Sequence, residues 1–244
     1  MPLVILILGA AASIANMIVR ARGASWLAFT LKTISGALFC ILGFMGLYHI
    51  VVSFDSPALG QLAALGVLVC IGLFFGLLGD IVLSLKDLVP SMFDKFLTWG
   101  FVLFALGHVA FIAGLIRGWD TPFPWVPIGI CAVVVLGFVV CEKVLKLDFG
   151  NFKWVVAGYG VLLTMLPSMG FFTLAFGTHP EATISGALVQ PLIMAIAGIS
   201  FMISDLVLAW TYFGPQKDRP WEHVTCYVFY YLAQFAIAGS LLFV

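Results

Sequence analysis

Eight long apolar segments, separated by short polar breaks, constrain the fold of this chain more than any other feature. A membrane-spanning helix needs about 20 mainly apolar residues. Only 9% of the 244 residues are charged, against about 25% in soluble domains, so the chain has too little polar surface to cover a water-soluble globule. We therefore predict an all-α polytopic membrane protein with eight transmembrane helices in a single domain, residues 1–244. The predicted spans are 2–19, 26–47, 62–85, 96–116, 123–141, 154–175, 186–211 and 222–243.

The basic residues are distributed very unevenly between the predicted loops. All but one of the eleven lysines and arginines lie toward one end of the helices, and only Arg117 lies toward the other. Cytoplasmic loops of membrane proteins carry an excess of Lys and Arg. The sequence thus predicts that this end is cytoplasmic and that both termini are non-cytoplasmic.

Charge and cysteine content weigh against several classes of function. The net charge is zero, which gives no support for a nucleic-acid partner. No CxxC motif or Cys/His cluster occurs, so we expect neither a disulfide framework nor a metal site, and no cofactor. The five cysteines are expected to be small packing residues: Cys40, Cys70, Cys131, Cys141 and Cys226.

Two aspartates, Asp80 and Asp205, lie inside apolar segments. An ionisable side chain at the centre of a spanning helix costs about 2.5–3.5 kcal/mol on insertion scales, so it normally faces a protein interior or a wet cavity. Gly72 and Gly76 share a helical face with Asp80, which predicts close approach of a neighbouring helix there. We interpret the two aspartates as candidate functional residues.

Other polar side chains fall in the same half of the predicted membrane as the aspartates, which predicts a cavity open to the cytoplasmic leaflet. In the eighth helix they share one face, because their spacings of four, three and four match the helical period. These residues are Lys32, His108, His223, Tyr227, Tyr230 and Gln234.

Each of these residues also has a structural alternative. Lys32 is long enough to reach the surface, or it pairs with an aspartate. His108 fits a hydrogen-bonded core position, the tyrosines fit the membrane interface, and Gln234 fits a contact between helices.

The two aspartates occur at similar places in the two halves of the chain. Asp205 follows Asp80 by about half the chain length, and their helices run in the same direction. Helix four carries His108 where helix eight carries Gln234. This pattern indicates either a 4+4 parallel repeat, with the site on its axis, or chance likeness between apolar helices.

Four short motifs in order resemble the YhhN family of membrane proteins, which includes lysoplasmalogenases. They are Gly79-Asp80-x-x-Leu83, His108, Ser204-Asp205-Leu206 and Tyr230-Tyr231-Leu232-Ala233-Gln234. The resemblance extends over nearly the whole chain in motif order, helix number and length. Tyr159 also stands where the family tends to have a tyrosine.

The chain departs from the family pattern at three positions that spare both aspartates. Lys32 is not followed by a proline, Phe111 replaces a tyrosine three positions after His108, and Phe229 replaces a threonine before the paired tyrosines. These departures bear on the substrate more than on the fold.

The resemblance implies hydrolysis of the vinyl ether bond of a lysoplasmalogen to a fatty aldehyde and a glycerophospho-ethanolamine or -choline. A vinyl ether opens once its β-carbon receives a proton, so the reaction needs one protonated carboxyl and a second that stabilises the cation. Two carboxyls in a low-dielectric site can share one proton in this way. We expect Asp80 and Asp205 to be this acid/base pair, with individual roles unassigned.

The remaining polar residues are expected to bind the lysophospholipid. Loop cations such as Lys86 or Lys217 are further candidates for attracting its phosphate. The candidate substrate-binding residues are Lys32, His108, Tyr159, Tyr227, Tyr230 and Gln234.

Other functions use similar residues. A proton-coupled or lipid transporter would use the same intramembrane aspartates and repeat. An intramembrane aspartyl protease would have a Gly-x-Gly-Asp motif, whereas Leu77 stands in place of its first glycine. A zinc-dependent amidase would need several deep histidines, and only His108 is deep. A lipid-binding scaffold without catalysis is a further alternative.

Overall fold

The computed structural model describes residues 1–23, 25–53, 59–144, 146–178, 184–215 and 220–244. Within these ranges the chain is helical and contains no strand. The helices are α1 Pro2–Arg20, α2 Trp26–Ser53, α3 Leu59–Leu88, α4 Phe93–Gly118, α5 Trp125–Val144, α6 Lys153–Phe176, α7 Ile184–Phe213 and α8 Pro220–Ser240. Short 3-10 helices precede α4 and α6 and follow α8.

These eight helices confirm the all-α prediction and coincide with the eight predicted segments. Seven of the helices are long and apolar enough to cross a membrane, and the apolar stretch found in α5, Trp125–Val135, is shorter. This is the architecture of a multi-pass membrane protein. Several helices extend beyond the predicted spans, as α2 does to Ser53, because backbone hydrogen bonding continues past the apolar core of each segment.

Consecutive helices pack against each other in both halves of the chain, and α5 packs mainly on α6. The halves are joined mainly by contacts of α4 with α6 and of α2 with α8, and α8 also touches α1 and α3. Small residues permit the closest approaches. A methyl group added to Gly72 would lie 2.3 Å from the Phe111 ring and 2.9 Å from the Gly107 carbonyl oxygen, so the approach predicted around Gly72 occurs, against α4.

The end of the bundle where α4 stops and α6 ends is held by buried polar contacts. The Trp119 indole donates a 2.7 Å hydrogen bond to the Gln190 side-chain oxygen. The Gln190 amide lies 3.4 Å from the Ser240 hydroxyl, and all three residues are essentially inaccessible. Inside a membrane such groups need protein partners, and this chain of contacts ties α4, α7 and α8 together.

Candidate active site

A cavity of about 490 Å³ lies among the helices at the end that carries most of the basic residues. Every helix except α5 contributes to its wall, together with the segment before α6. Its volume falls within the range of about 300–1,000 Å³ that is typical of small-molecule sites. Asp80 and Asp205 both line it.

Asp80 is held by two side chains from other helices. The Lys32 ammonium of α2 lies 3.0 Å from its Oδ1, and the Tyr230 hydroxyl of α8 donates a 2.6 Å hydrogen bond to its Oδ2. The Gln234 amide in turn donates to the Tyr230 hydroxyl at 3.2 Å. Asp80 is 1% exposed, so its charge is satisfied almost entirely by protein groups.

Lys32 points into the bundle, toward Asp80. It is 9% exposed, and its ammonium lies 5.6 Å and 5.8 Å from the ring centroids of Tyr227 and Tyr230. Aromatic faces at such distances stabilise a cation. The sequence left two alternatives for Lys32, a side chain that reaches the surface or one that pairs with an aspartate. The structure shows the pairing with Asp80.

Asp205 has a different set of partners. The Tyr159 hydroxyl of α6 donates a short hydrogen bond to its Oδ2, and the hydroxyl of the preceding Ser204 also interacts with the carboxyl. The Ser204 hydroxyl lies 3.5 Å from the Cys226 thiol of α8. Asp205 is half-buried and lines the cavity.

A cluster of charged groups lies at the mouth of the cavity. Arg20 and Lys86 each lie 2.7 Å from a carboxylate oxygen of Asp87, so these three side chains together carry one positive charge in excess. The Lys86 ammonium is 4.9 Å from the Tyr212 ring centroid and 5.7 Å from that of Phe93. Lys86 was expected in a loop, but it lies in the last turn of α3, because the helix continues past the apolar segment. The cluster can attract an anion.

Aromatic rings form much of the wall next to the carboxyls. Phe104 packs edge-on against Tyr230, with centroids 5.9 Å apart, and Phe101 lies 5.6 Å from Tyr159. Both phenylalanines line the cavity. Its surface is therefore charged at the mouth and mixed aromatic and carboxylic inside.

Two of the predicted site residues lie behind the cavity wall. His108 is 1% exposed, its Nδ1 hydrogen-bonds to the Phe104 carbonyl at 2.9 Å, and its ring packs 4.7 Å from that of Phe201. Gln234 is 0% exposed and contacts the site through Tyr230. Neither is among the lining residues, whereas Lys32, Tyr159, Tyr227 and Tyr230 are. Lys217 lies outside the described residues.

Sequence reasoning missed other polar residues of this region. Asn16, in α1, is 1% exposed, donates to the Ala28 carbonyl at 2.6 Å and accepts from the Tyr231 hydroxyl at 3.3 Å. A single asparagine inside the first apolar segment was a signal that could have identified it. The Arg20–Asp87 contact left no such signal, because nothing in sequence spacing pairs α1 with α3.

The described residues hold no group of three or more potential metal ligands. The described cysteines, Cys40, Cys70, Cys131 and Cys226, are free thiols and buried, as expected of packing residues; the side chain of Cys141 lies outside the described part.

Comparison with known proteins gives one match. Neither a curated protein nor a solved structure is significantly similar to the chain. The model of the YhhN family, by contrast, matches residues 27–241, which include both aspartates and every lining residue from α3 to α8. With that match over most of its length, and with the motifs that the cavity brings together, the chain belongs to the YhhN family.

Proposed function

We propose that this protein is a lysoplasmalogenase, which hydrolyses the vinyl ether bond of lysoplasmalogens. The observation that carries the proposal is that two aspartates from spanning helices line one cavity. Ionisable residues at such depth are costly and mark functional sites. Membership of a family that includes hydrolases supports the same conclusion.

The volume and polarity of the cavity suit a single-chain phospholipid. The excess positive charge of Arg20 and Lys86 over Asp87 attracts the phosphate. Asp80 and Lys86 lie on the same helix, about 9 Å apart along its axis at 1.5 Å per residue. A vinyl ether at the first glycerol carbon lies at a comparable distance from the phosphate of the same molecule.

The reaction begins with proton transfer from a carboxyl group to the β-carbon of the vinyl ether. The C=C electrons form the new C–H bond, and a lone pair of the ether oxygen forms the C=O bond of an oxocarbenium ion. Water adds to the cationic carbon and loses a proton, which gives a hemiacetal. Collapse of the hemiacetal breaks the bond to the glycerol oxygen, which takes up the hydroxyl proton, and releases the aldehyde.

The other residues of the site are proposed to act as follows. Tyr230 and Tyr159 orient the two carboxyls through the hydrogen bonds that they donate. Lys32 and Tyr227 face the lipid from the wall, and Phe104 with its aromatic neighbours contacts the alkenyl chain. His108 and Gln234 support this wall from behind rather than touching substrate.

We further propose a topology and an internal symmetry. The cavity opens to the cytoplasmic leaflet, because the basic residues concentrate at that end, and both termini lie on the other side. A 4+4 parallel repeat relates α1–α4 to α5–α8. This repeat makes α8 the equivalent of α4 and α2 the equivalent of α6. In support, α4 contacts α6, and α8 contacts α2.

The decisive test is the product profile of purified protein given three lysolipids with the same headgroup and an alkenyl, an alkyl or an acyl chain. We expect aldehyde and free glycerophosphodiester from the alkenyl compound only. A double variant, Asp80→Asn with Asp205→Asn, is the control for contaminating activity. Release of fatty acid from the acyl compound at a comparable rate would refute the vinyl ether specificity.

The transporter alternative is distinguished by reconstitution. Lysolipid movement across proteoliposomes, with no aldehyde from any substrate and with dependence on both aspartates, would replace the enzymatic proposal. Aldehyde formation without such movement would exclude it.

A further inference from the structure

The partners of Asp80 fix its charge. A Lys32 ammonium lies 3.0 Å from one of its oxygens, and the Tyr230 hydroxyl donates to the other. Protonation of Asp80 would leave the Lys32 ammonium buried without its counter-ion, which is strongly unfavourable. Asp80 and Lys32 therefore remain a charged pair, and the Asp80 carboxylate also accepts the hydrogen bond from Tyr230.

The partners of Asp205 are neutral. It accepts from the Tyr159 hydroxyl, and the Ser204 hydroxyl and the Cys226 thiol are its other near polar groups. In the described parts of the chain, no lysine, arginine or histidine forms an ion pair with Asp205.

More distant charges have little net effect on the Asp205 carboxyl. Lys32 and Asp80 both act on Asp205, with opposite signs, so the charged pair largely cancels at that distance. A carboxyl in a low-dielectric site without a cation of its own favours the neutral form. Asp205 is also the more exposed of the two aspartates, and it lines the cavity.

We propose that Asp205 is the proton donor of the reaction and that Asp80 remains an anion throughout. This assignment rests on the vinyl ether hydrolysis proposed above. The Tyr159 hydroxyl holds Oδ2 of Asp205, so the proton on Oδ1 is directed at the β-carbon of the substrate. The carboxylate that this transfer leaves on Asp205 stabilises the adjacent oxocarbenium ion, while Asp80 stays paired with Lys32.

The proton returns to Asp205 within one turnover. The Asp205 O–H bond breaks as the C–H bond forms, which leaves Asp205 as a carboxylate. The incoming water gives its proton to that carboxylate as its oxygen bonds to the oxocarbenium carbon. The hemiacetal then separates into alcohol and aldehyde with the hydroxyl proton passing to the glycerol oxygen, so no external acid is consumed.

Infrared difference spectroscopy tests the location of the proton without any substrate. Purified protein at neutral pH should show the C=O stretch of a protonated carboxyl. We expect this band to disappear in Asp205→Asn and to persist in the charge-balanced double variant Lys32→Met with Asp80→Asn. Buried Glu222 is a possible second source, and Glu222→Gln controls for it. The assignment would be overturned by a band that persists in Asp205→Asn but vanishes in the double variant or in Glu222→Gln. It would also be overturned if the wild-type protein showed no such band.

A second pair of variants keeps the test valid if Asp205→Asn does not fold. A hydrogen bond to a carbonyl lowers its stretching frequency. Tyr159→Phe should therefore shift the band to higher frequency, whereas Tyr230→Phe should leave it in place, because Tyr230 bonds to Asp80. The opposite pattern would assign the proton to Asp80.

The spectroscopic result and the product profile are independent. A band that follows Asp205 in a protein that forms no aldehyde would leave the proton location standing and remove the proposed reaction. Aldehyde formation with a band that follows Asp80 would keep the reaction and reverse the two roles. With both in place, we expect Asp205→Asn to lower kcat by about 10²–10⁴-fold, the range for loss of a general acid.

Discussion

Lys32 and Asp80 form a buried ion pair, with 3.0 Å between the ammonium and Oδ1, that joins α2 to α3 inside the bundle. The pair holds the carboxylate on the cavity wall and removes two charges from contact with lipid. The pair also distinguishes the two aspartates, because Asp80 has a cationic partner whereas Asp205 has hydroxyl partners.

Replacing Lys32 alone should destabilise the protein strongly. In Lys32→Met the Asp80 carboxylate loses its counter-ion, and breaking a buried pair in this way costs about 3–5 kcal/mol. The double variant Lys32→Met with Asp80→Asn removes both charges and should recover most of that loss. Thermal unfolding in detergent, followed by circular dichroism, measures both. Equal stability of the single and double variants would contradict the pairing.

Tyr230→Phe should weaken the site more than the same change at its neighbour. It removes the 2.6 Å hydrogen bond to Asp80 and leaves the Gln234 amide without its acceptor, at a cost of about 1–3 kcal/mol. Tyr231→Phe is the matched control, because its hydroxyl bonds to Asn16, at a longer 3.3 Å, rather than to an aspartate. Aldehyde formation and unfolding temperature should both fall further in Tyr230→Phe.

Gly72→Ala should disturb the contact between α3 and α4. The added methyl group would lie 2.3 Å from the Phe111 ring and 2.9 Å from a backbone oxygen of Gly107, and overpacking of this kind costs about 1–3 kcal/mol. At Gly129, in α5, a methyl group meets nothing within 4 Å. Gly129→Ala should therefore not lower the unfolding temperature, and an equal loss in both variants would contradict the proposed cause.

Arg20→Gln should weaken binding of phosphate-containing substrates selectively. Asp87 keeps Lys86 as its partner in this variant, so the mouth loses its excess positive charge but stays paired. We expect a higher KM for alkenyl-glycerophosphoethanolamine and an unchanged KM for alkenylglycerol, which has no phosphate. The ratio of the two KM values isolates the electrostatic contribution, and a parallel rise for both lipids would indicate a structural effect.

The helices could be predicted from the sequence because apolar segment length reports membrane crossings directly. The shared face of the eighth helix could also be predicted. Its polar residues recur with the helical period, and His223, Tyr227 and Tyr230 do line one cavity. The close approach at Gly72 followed from the absence of a side chain there.

The pairings between helices could not be predicted, because sequence spacing carries no information on contacts between distant segments. No feature of the sequence indicated that Lys32 pairs with Asp80 rather than with Asp205, or that Tyr159 donates a hydrogen bond to Asp205. The depth of a residue also says little about which way it points. His108 and Gln234 lie at suitable depths, yet packing of Phe201 and Gly76 against them turns them behind the wall.

The position of Asp80 and Lys86 on one continuous helix has a consequence for regiochemistry. A helix is stiff along its axis, so the separation between the carboxylate and the cationic mouth does not adjust to the lipid. An ether at the central glycerol carbon would place its double bond one bond closer to the phosphate, which fits the separation along α3 less well. For the proposed reaction, we therefore expect slower hydrolysis of the isomer that carries the same chain at the central glycerol carbon.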